Sequence, residues 1–198
     1  ISTIFVLSVA YSMSRMRFKM RKPFMNIAMI IGLFPSFMSM IAVYYILRAL
    51  NLADGAMIRV ALIIVFSAGS GAGFYVAKGF FDTISKSLDE AAIIDGATRW
   101  NVFTKITVPL SKPIIVYTIL TSFMGPWVDF IFGKVICRAD AQYYTVSIGL
   151  WKMLEKEYID SWYTCFAAGA VVVSIPIAIL FLMTQKFYVE GMTGAVKG

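Results

Sequence analysis

The sequence contains no histidine, and its 198 residues include only two cysteines, Cys137 and Cys165. Without an imidazole ring, the chain has no serine–histidine or cysteine–histidine catalytic pair and lacks a ligand that most zinc sites use. Two cysteines are too few for a disulfide framework. A single bridge stays open, but two small apolar side chains are the simpler interpretation. We expect no catalytic residue, no metal site and no cofactor bound by this chain.

Charged residues are also scarce, and acidic residues are the scarcer kind. Only 15% of the chain is charged, with 11 Asp and Glu against 18 Lys and Arg, whereas 60% is hydrophobic. The mean hydropathy is +0.79, which is too apolar for an ordinary soluble domain and predicts an integral protein of the lipid bilayer. The net charge of +7 comes from cations that flank apolar runs, so we expect no nucleic-acid partner.

Long apolar runs make up most of the remaining sequence and predict an all-α polytopic membrane protein with about five spans. A span needs roughly 20 apolar residues, so the first run is only a partial span. The runs cover residues 1–13, 24–46, 57–76, 113–132 and 163–183. Because the chain opens inside an apolar run and without Met, we expect a fragment that lacks its N-terminal part. Residues 1–198 are predicted to form a single transmembrane domain.

Basic residues predict which connections face the cytoplasm, since cytoplasmic loops carry an excess of Lys and Arg. Residues 14–22 and 77–112 each carry five, and the number of spans between them puts both on one side. We interpret those in 14–22 only as orientation signals, and we predict a cytoplasmic tail at 185–198. The ten cations are Arg15, Arg17, Lys19, Arg21, Lys22, Lys78, Lys86, Arg99, Lys105 and Lys112.

The clearest local pattern lies at residues 87–113. Ser87 and Glu90 have the spacing of a capping box, in which the serine accepts from an amide three residues on and the glutamate reaches back. This pattern predicts a helix over 87–95, which Asp95-Gly96 would end because glycine turns without steric cost.

A second short helix is predicted over residues 97–107. Its Trp100, Phe103 and Ile106 or Thr107 recur at a spacing of three to four, which places them on one side. Pro109 and Pro113 are expected to stop this helix. We call the two predicted helices and their turn the elbow.

The elbow resembles the cytoplasmic EAA loop of ABC importer permeases. Glu90-Ala91-Ala92, Gly96, Ile106 and Val108-Pro109 carry the resemblance, although the family usually has Leu at the position of Val108. The flanking Asp95-Gly96-Ala97 and Pro109-Leu110-Ser111, together with the ending at 191–198, are similar to the carbohydrate, maltose-type branch.

The resemblance implies a six-span permease whose residues 77–112 form a cytoplasmic coupling loop. The first elbow helix would seat in a cleft of a separate ATP-binding ABC subunit. The residues implied in ATPase coupling are Glu90, Ala91, Ala92, Asp95, Gly96 and Ala97. Those implied in packing the elbow onto its own spans are Trp100, Phe103, Ile106 and Pro109.

The expected function is therefore a permease subunit of an ATP-driven, binding-protein-dependent importer for sugars or oligosaccharides. The chain would not itself be an enzyme. Its implied partners are a second permease subunit forming a heterodimer, an extracytoplasmic solute-binding protein and the ATP-binding subunits, in a prokaryotic plasma or inner membrane. The alternative is a secondary carrier or a permease for another small solute, although no acid, His or Lys suited to ion coupling lies mid-membrane.

Two residues are candidates for lining the pathway. Pro35 lies within the run 24–46, where it should kink or break the helix. Asp129 is the acidic residue nearest to hydrocarbon depth, and it either lines the pathway or is solvated at the boundary. Residues 133–162 are too charged to span, and a short amphipathic helix is predicted there. Their aromatic side chains suit either sugar stacking or lipid headgroups.

Overall fold

The computed structural model describes residues 1–33, 36–69, 73–138 and 140–195, and within these ranges the regular structure is helical, with no strand. This confirms the all-α prediction. The helices in chain order are α1 (Ser2–Arg15), α2 (Arg21–Gly32), α3 (Ser36–Ala49), α4 (Met57–Gly69), α5 (Gly73–Thr83), α6 (Lys86–Ile94), α7 (Arg99–Leu110), α8 (Lys112–Val128), α9 (Ile131–Cys137), α10 (Val146–Lys152) and α11 (Ile159–Ala195).

Two segments are long and apolar enough to cross a membrane. They are Met57–Thr83, a stretch of 27 residues that includes α4 and α5, and Ile159–Lys186, which comprises 28 residues of α11. The number rises to four if the pairs α2–α3 and α7–α8 each count as one bent span. With 14 residues, α1 is too short to span alone, as expected for a partial span. The polytopic architecture is thus confirmed, and the number of spans stays approximate.

The helices form two compact units. The first contains residues Ile1–Ile30, Ser70–Thr121 and Thr184–Gly198, and the second contains Ile31–Gly69 and Ser122–Met183. In the first unit α1 packs along α5, and Ala10 and Ala77 are completely buried, which lets the two backbones approach closely. The core of this unit comprises Val6, Ala10, Met13, Phe74, Ala77, Phe81 and Ile114.

The second unit has its own core, formed by α3, α4, α9, α10 and the turn that precedes α4. The helix α9 was not predicted, whereas α10 confirms the short helix expected in this stretch. Arg138 ends α9 and donates to the Ala53 carbonyl at 3.1 Å, which joins the helix to that turn. The core residues are Leu47, Ala53, Ile58, Ala61, Ile136, Cys137 and Ile148.

Helix α11 continues into the tail predicted at 185–198, and the cytoplasmic location of that tail stays a prediction. Its 37 residues run from Ile159 to Ala195, so the backbone stays helical beyond the predicted end of the last span. Pro176 lies inside this helix without ending it, and no further proline follows in the sequence to stop it. Within the described ranges both cysteines are free thiols, Cys137 buried and Cys165 exposed.

Candidate functional site

The first helix of the elbow is α6, and its start differs from the prediction. Ser85 is the N-cap, and its hydroxyl accepts from the Ser87 amide at 3.3 Å. The predicted capping box at Ser87 and Glu90 is wrong, because with the cap at Ser85 the third helical residue is Leu88. Glu90 lies two residues too late to reach back to the cap amide, and its side chain is exposed.

The turn after α6 confirms the predicted stop at Asp95-Gly96. Gly96 has a φ of +85°, in the left-handed region that favours glycine. Its amide donates to the Ile93 carbonyl at 3.0 Å, and the Ala97 amide donates to the Ala92 carbonyl at 2.9 Å. These two bonds form a Schellman motif, which satisfies carbonyls that the end of the helix leaves unpaired. The turn therefore fixes how the chain leaves α6.

One face of α6 is exposed and partly apolar. Ser87, Glu90, Ala91 and Ile94 lie three or four residues apart, so they share this face, and all four are exposed. Ile94 is 84% exposed, more than the other two large apolar side chains of α6, Leu88 at 45% and Ile93 at 51%. Of the other residues predicted to couple to an ATPase, Asp95 and Gly96 are exposed, and Ala92 and Ala97 are half-buried.

The opposite side of α6 is held by an ion pair. The Asp89 carboxylate lies 3.2 Å from Nη1 of Arg15, and the two side chains are 16% and 5% exposed. Arg15 Nη2 also donates to the carbonyl oxygens of Phe81 and Ile84, both at 2.9 Å. We call these four residues the Arg15 clasp. It joins the end of α1, the end of α5 and the middle of α6.

One further contact fixes α1 to α5 beside the clasp, and an ion pair within α5 involves the same carboxylate. The Ser14 hydroxyl donates to Asp82 at 2.6 Å, and Lys78 Nζ lies 2.5 Å from the other oxygen of the same carboxylate. Sequence reasoning missed the clasp, because Arg15 was interpreted only as an orientation signal. Nothing in the sequence pairs Arg15 with Asp89, since the contact depends on how α1 packs against α5.

A cavity of about 190 Å³ opens between α1, α6 and α7, next to the clasp. Five basic side chains line it against two acidic ones, so the lining carries an excess of positive charge. The charged lining consists of Arg15, Arg17, Arg21, Lys86, Arg99, Asp89 and Glu90.

The second elbow helix, α7, extends further than predicted. Thr98 caps it by accepting from the Asn101 amide at 3.2 Å, and a π-helical segment covers Phe103–Thr107. The predicted stop at Pro109 is wrong, because the helix continues to Leu110. Pro109 is the second residue of the helical turn that follows the π segment, a position where the missing amide is tolerated.

The chain bends by 80° after α7, and the next helix, α8, starts at Lys112. Pro113 therefore lies in the first turn of α8, where proline is favoured. The break between the two helices falls at Ser111, which is fully buried.

The residues predicted to pack the elbow onto the spans divide into two groups. Phe103 contacts Tyr11 of α1 with ring centroids 4.6 Å apart, and Ile106 is half-buried, whereas Pro109 is exposed. Trp100 departs from the prediction, since it is 70% exposed and its ring lies 5.7 Å from that of Phe103, a neighbour on the elbow. Val102, which is 3% exposed, is an anchor that the predicted face did not include.

A comparison with known protein families covers nearly the whole chain. Residues 4–192 match the family of binding-protein-dependent transport system inner membrane components. The chain belongs to this family. The resemblance found in the elbow is thereby confirmed at the level of the chain, which is a transport component of the membrane and not a member of an enzyme family.

Characterised relatives include permeases for oligosaccharides. The galactooligosaccharides transport system permease protein GanQ of Bacillus subtilis is 36% identical over 100% of this chain and 69% of its own length. The maltose/maltodextrin permease MalG of Vibrio vulnificus is 34% identical over 96% of this chain and 64% of its own length. The maltodextrin permease MdxG of Bacillus subtilis is 33% identical over 95% and 66%. The chain thus spans about two thirds of the length of these permeases.

The structure describes one of the two candidates for lining the pathway. Pro35 lies outside the described residues. Asp129 is half-buried, and its carboxylate accepts from the Gly133 amide at 2.7 Å, so it caps the first turn of α9. Its backbone carbonyl also accepts from the Thr145 hydroxyl at 3.2 Å. The contacts of Asp129 are structural ones, and its role in a pathway stays a prediction.

Proposed function

We propose that this chain is the transmembrane permease subunit of an ATP-driven, binding-protein-dependent importer for a sugar or oligosaccharide. We further propose that the exposed face of α6 docks on a separate ATP-binding subunit. Family membership and the printed names of the oligosaccharide permeases support the first statement. The second rests on one observation: α6 turns Ile94 and Glu90 outward while Asp89 ties its other side to α1.

The outward face of α6 has the chemistry of a docking surface. Burying Ile94, now 84% exposed, against a partner would contribute roughly 1.5–3 kcal/mol. Ala91 leaves the surface low enough for close approach, and Glu90 offers a carboxylate for a cation at the rim. A few well-packed residues of this kind carry most of the energy of an interface.

The other partners follow from the same proposal. ATP hydrolysis takes place in the partner chain, and this chain contributes no catalytic residue. A second permease subunit completes the membrane pathway as a heterodimer, and an extracytoplasmic solute-binding protein delivers the sugar. The assembly lies in the plasma membrane of a prokaryote.

Two variants of the complete transporter test the docking role. In Ile94→Asp a charge would have to be buried in the interface, and in Glu90→Lys the sign of the rim charge is reversed. Both should lower the amount of ATP-binding subunit that co-purifies with the permease by about tenfold or more. A tenfold loss corresponds to about 1.4 kcal/mol of binding energy, which one well-packed interface residue can supply. Uptake of labelled galacto- and malto-oligosaccharides should fall with it.

The matched control is Glu155→Lys, which makes the same change at an exposed acidic residue of the second unit. It should leave co-purification of the ATP-binding subunit unchanged. Normal co-purification and uptake in both α6 variants would contradict the docking role. Uptake that continues after deletion of the ATP-binding subunit would instead indicate a secondary carrier.

A further inference from the structure

The Arg15 clasp adds hydrogen bonds at the end of α5. Arg15 Nη2 donates to the carbonyls of Phe81 and Ile84, and the Phe81 carbonyl also accepts from the Ile84 amide at 3.3 Å. Nη1 of the same guanidinium faces Asp89 of α6. One side chain from α1 therefore contacts two other elements at once.

Only arginine can make this set of contacts. A guanidinium presents several N–H groups in a rigid plane, so it can donate to carbonyls and meet a carboxylate at the same time. A lysine ammonium at this place would keep the charge but lose the planar fork. Because Arg15 is 5% exposed, its charge must be paired, and losing one partner would be costly.

Helix α6 has little else to hold it. Within Lys86–Ile94, all of which lies in the described ranges, every residue is exposed or half-buried. Residues 84–85 connect it to α5, and the turn at Gly96 connects it to α7. In place of a buried apolar residue, α6 uses Asp89 to attach to the body of the protein.

We propose that Arg15 is a positioning residue for transport, which makes α6 move together with the ends of α1 and α5. This inference rests on the docking role proposed above. When the ATP-binding subunit displaces α6, the clasp passes the displacement to two membrane helices. Without the clasp, α6 would still dock through Ile94 and Glu90, but its displacement would no longer be passed directly to the ends of α1 and α5.

The test compares Arg15→Lys with Asp89→Asn in the complete transporter reconstituted in vesicles. Both variants keep side chains of similar size but break the clasp from opposite ends. The ATP-binding subunit should still co-purify, and ATP hydrolysis should continue. The amount of oligosaccharide transported per ATP hydrolysed should fall by about tenfold or more. A tenfold factor corresponds to about 1.4 kcal/mol, and breaking a buried ion pair costs more energy than this.

The double variant Arg15→Lys/Asp89→Asn makes the test specific to the pair. If the two residues act as one unit, the double variant should lose no more than the worse single variant. The control is Lys19→Gln, an exposed cation of the same connection, which should keep the normal ratio.

Different results separate this inference from the docking role. A normal ratio of transport to hydrolysis in either single variant, with Ile94→Asp still losing the ATP-binding subunit, would overturn the positioning role alone. Losses that add in the double variant would also overturn it. Loss of the ATP-binding subunit in Asp89→Asn would mean that the clasp serves docking and not positioning.

Discussion

Two short helices of similar length, α6 in the first unit and α10 in the second, contact the rest of their units through opposite kinds of side chain. In α10 the apolar Ile148 points inward and is 2% exposed, within a core that also holds Ile136 and Cys137. In α6 the apolar Ile94 points outward at 84% exposure, and a charged residue, Asp89, faces the protein.

The placement of the apolar residue decides which contacts stabilise each helix. A helix that buries its apolar residue is stabilised by the chain to which it belongs, because removing apolar area from water is the main favourable term in folding. A helix that turns its apolar residue outward gains this energy only when a partner covers it. The ion pair lets α6 stay attached without burying Ile94, the residue through which we propose that it docks.

The largest effect that we expect contrasts Ile148→Ala with Ile94→Ala. The first variant leaves a cavity in the core of the second unit and should lower its free energy of unfolding by about 2–5 kcal/mol. The second removes an exposed side chain and should change stability by less than about 0.5 kcal/mol. Thermal unfolding of the detergent-solubilised protein, followed by tryptophan fluorescence, measures both. Equal losses of stability would break the contrast between the two helices.

A smaller effect, of opposite sign at two glycines, sharpens the same contrast. Gly96 has a φ of +85°, so Gly96→Ala forces an L-residue into the left-handed region and should destabilise the turn by about 1–2 kcal/mol. Gly149 lies inside α10 with open space around its Cβ position, so Gly149→Ala should stabilise by about 0.5–1 kcal/mol.

Hydrogen exchange of the amides in α6 and α10 would report these two changes separately. Faster exchange in α6 is expected for Gly96→Ala, and slower exchange in α10 for Gly149→Ala. If the exchange rate of the α6 amides were unchanged in Gly96→Ala, the left-handed turn would not contribute to the stability of the elbow.

The smallest effect concerns pH at the core next to α10. Burial raises the pKa of the Cys137 thiol above its ordinary value, and the nearby Asp140 raises it further. The thiol also donates to the Tyr143 carbonyl at 3.0 Å, which favours the protonated form. Because the folded state prefers the neutral thiol, its contribution to stability is present at neutral pH and is lost as the pH rises through the folded-state pKa.

Thiol alkylation and the variant Cys137→Ala check this prediction. A small maleimide should modify the exposed Cys165 first, and Cys137 should react only slowly at neutral pH because little thiolate is present. The loss of stability at alkaline pH should be smaller in Cys137→Ala than in the parent protein. Rapid modification of Cys137 at neutral pH would contradict the raised pKa.

Parts of the elbow could be predicted because they depend on neighbouring residues. Asp95-Gly96 ends α6 through local backbone geometry, so the turn was found from the residue types alone. The cap was assigned two residues too late, since Ser85 and Ser87 both suit that position and only the path of the chain chooses between them. The π segment in α7 has no sequence signal, and for this reason the helix was predicted to end too early.

The sequence by itself determined that the chain is a helical membrane protein, that it carries an elbow with a glycine turn, and that it resembles importer permeases. Hydropathy and turn chemistry act over a few residues, so they can be read from the order of residues. Only the tertiary structure decided that Arg15 meets Asp89, that Trp100 stays exposed and that Ile94 faces outward. These outcomes depend on how α1 packs against α5, because that packing brings together groups that lie far apart in the chain.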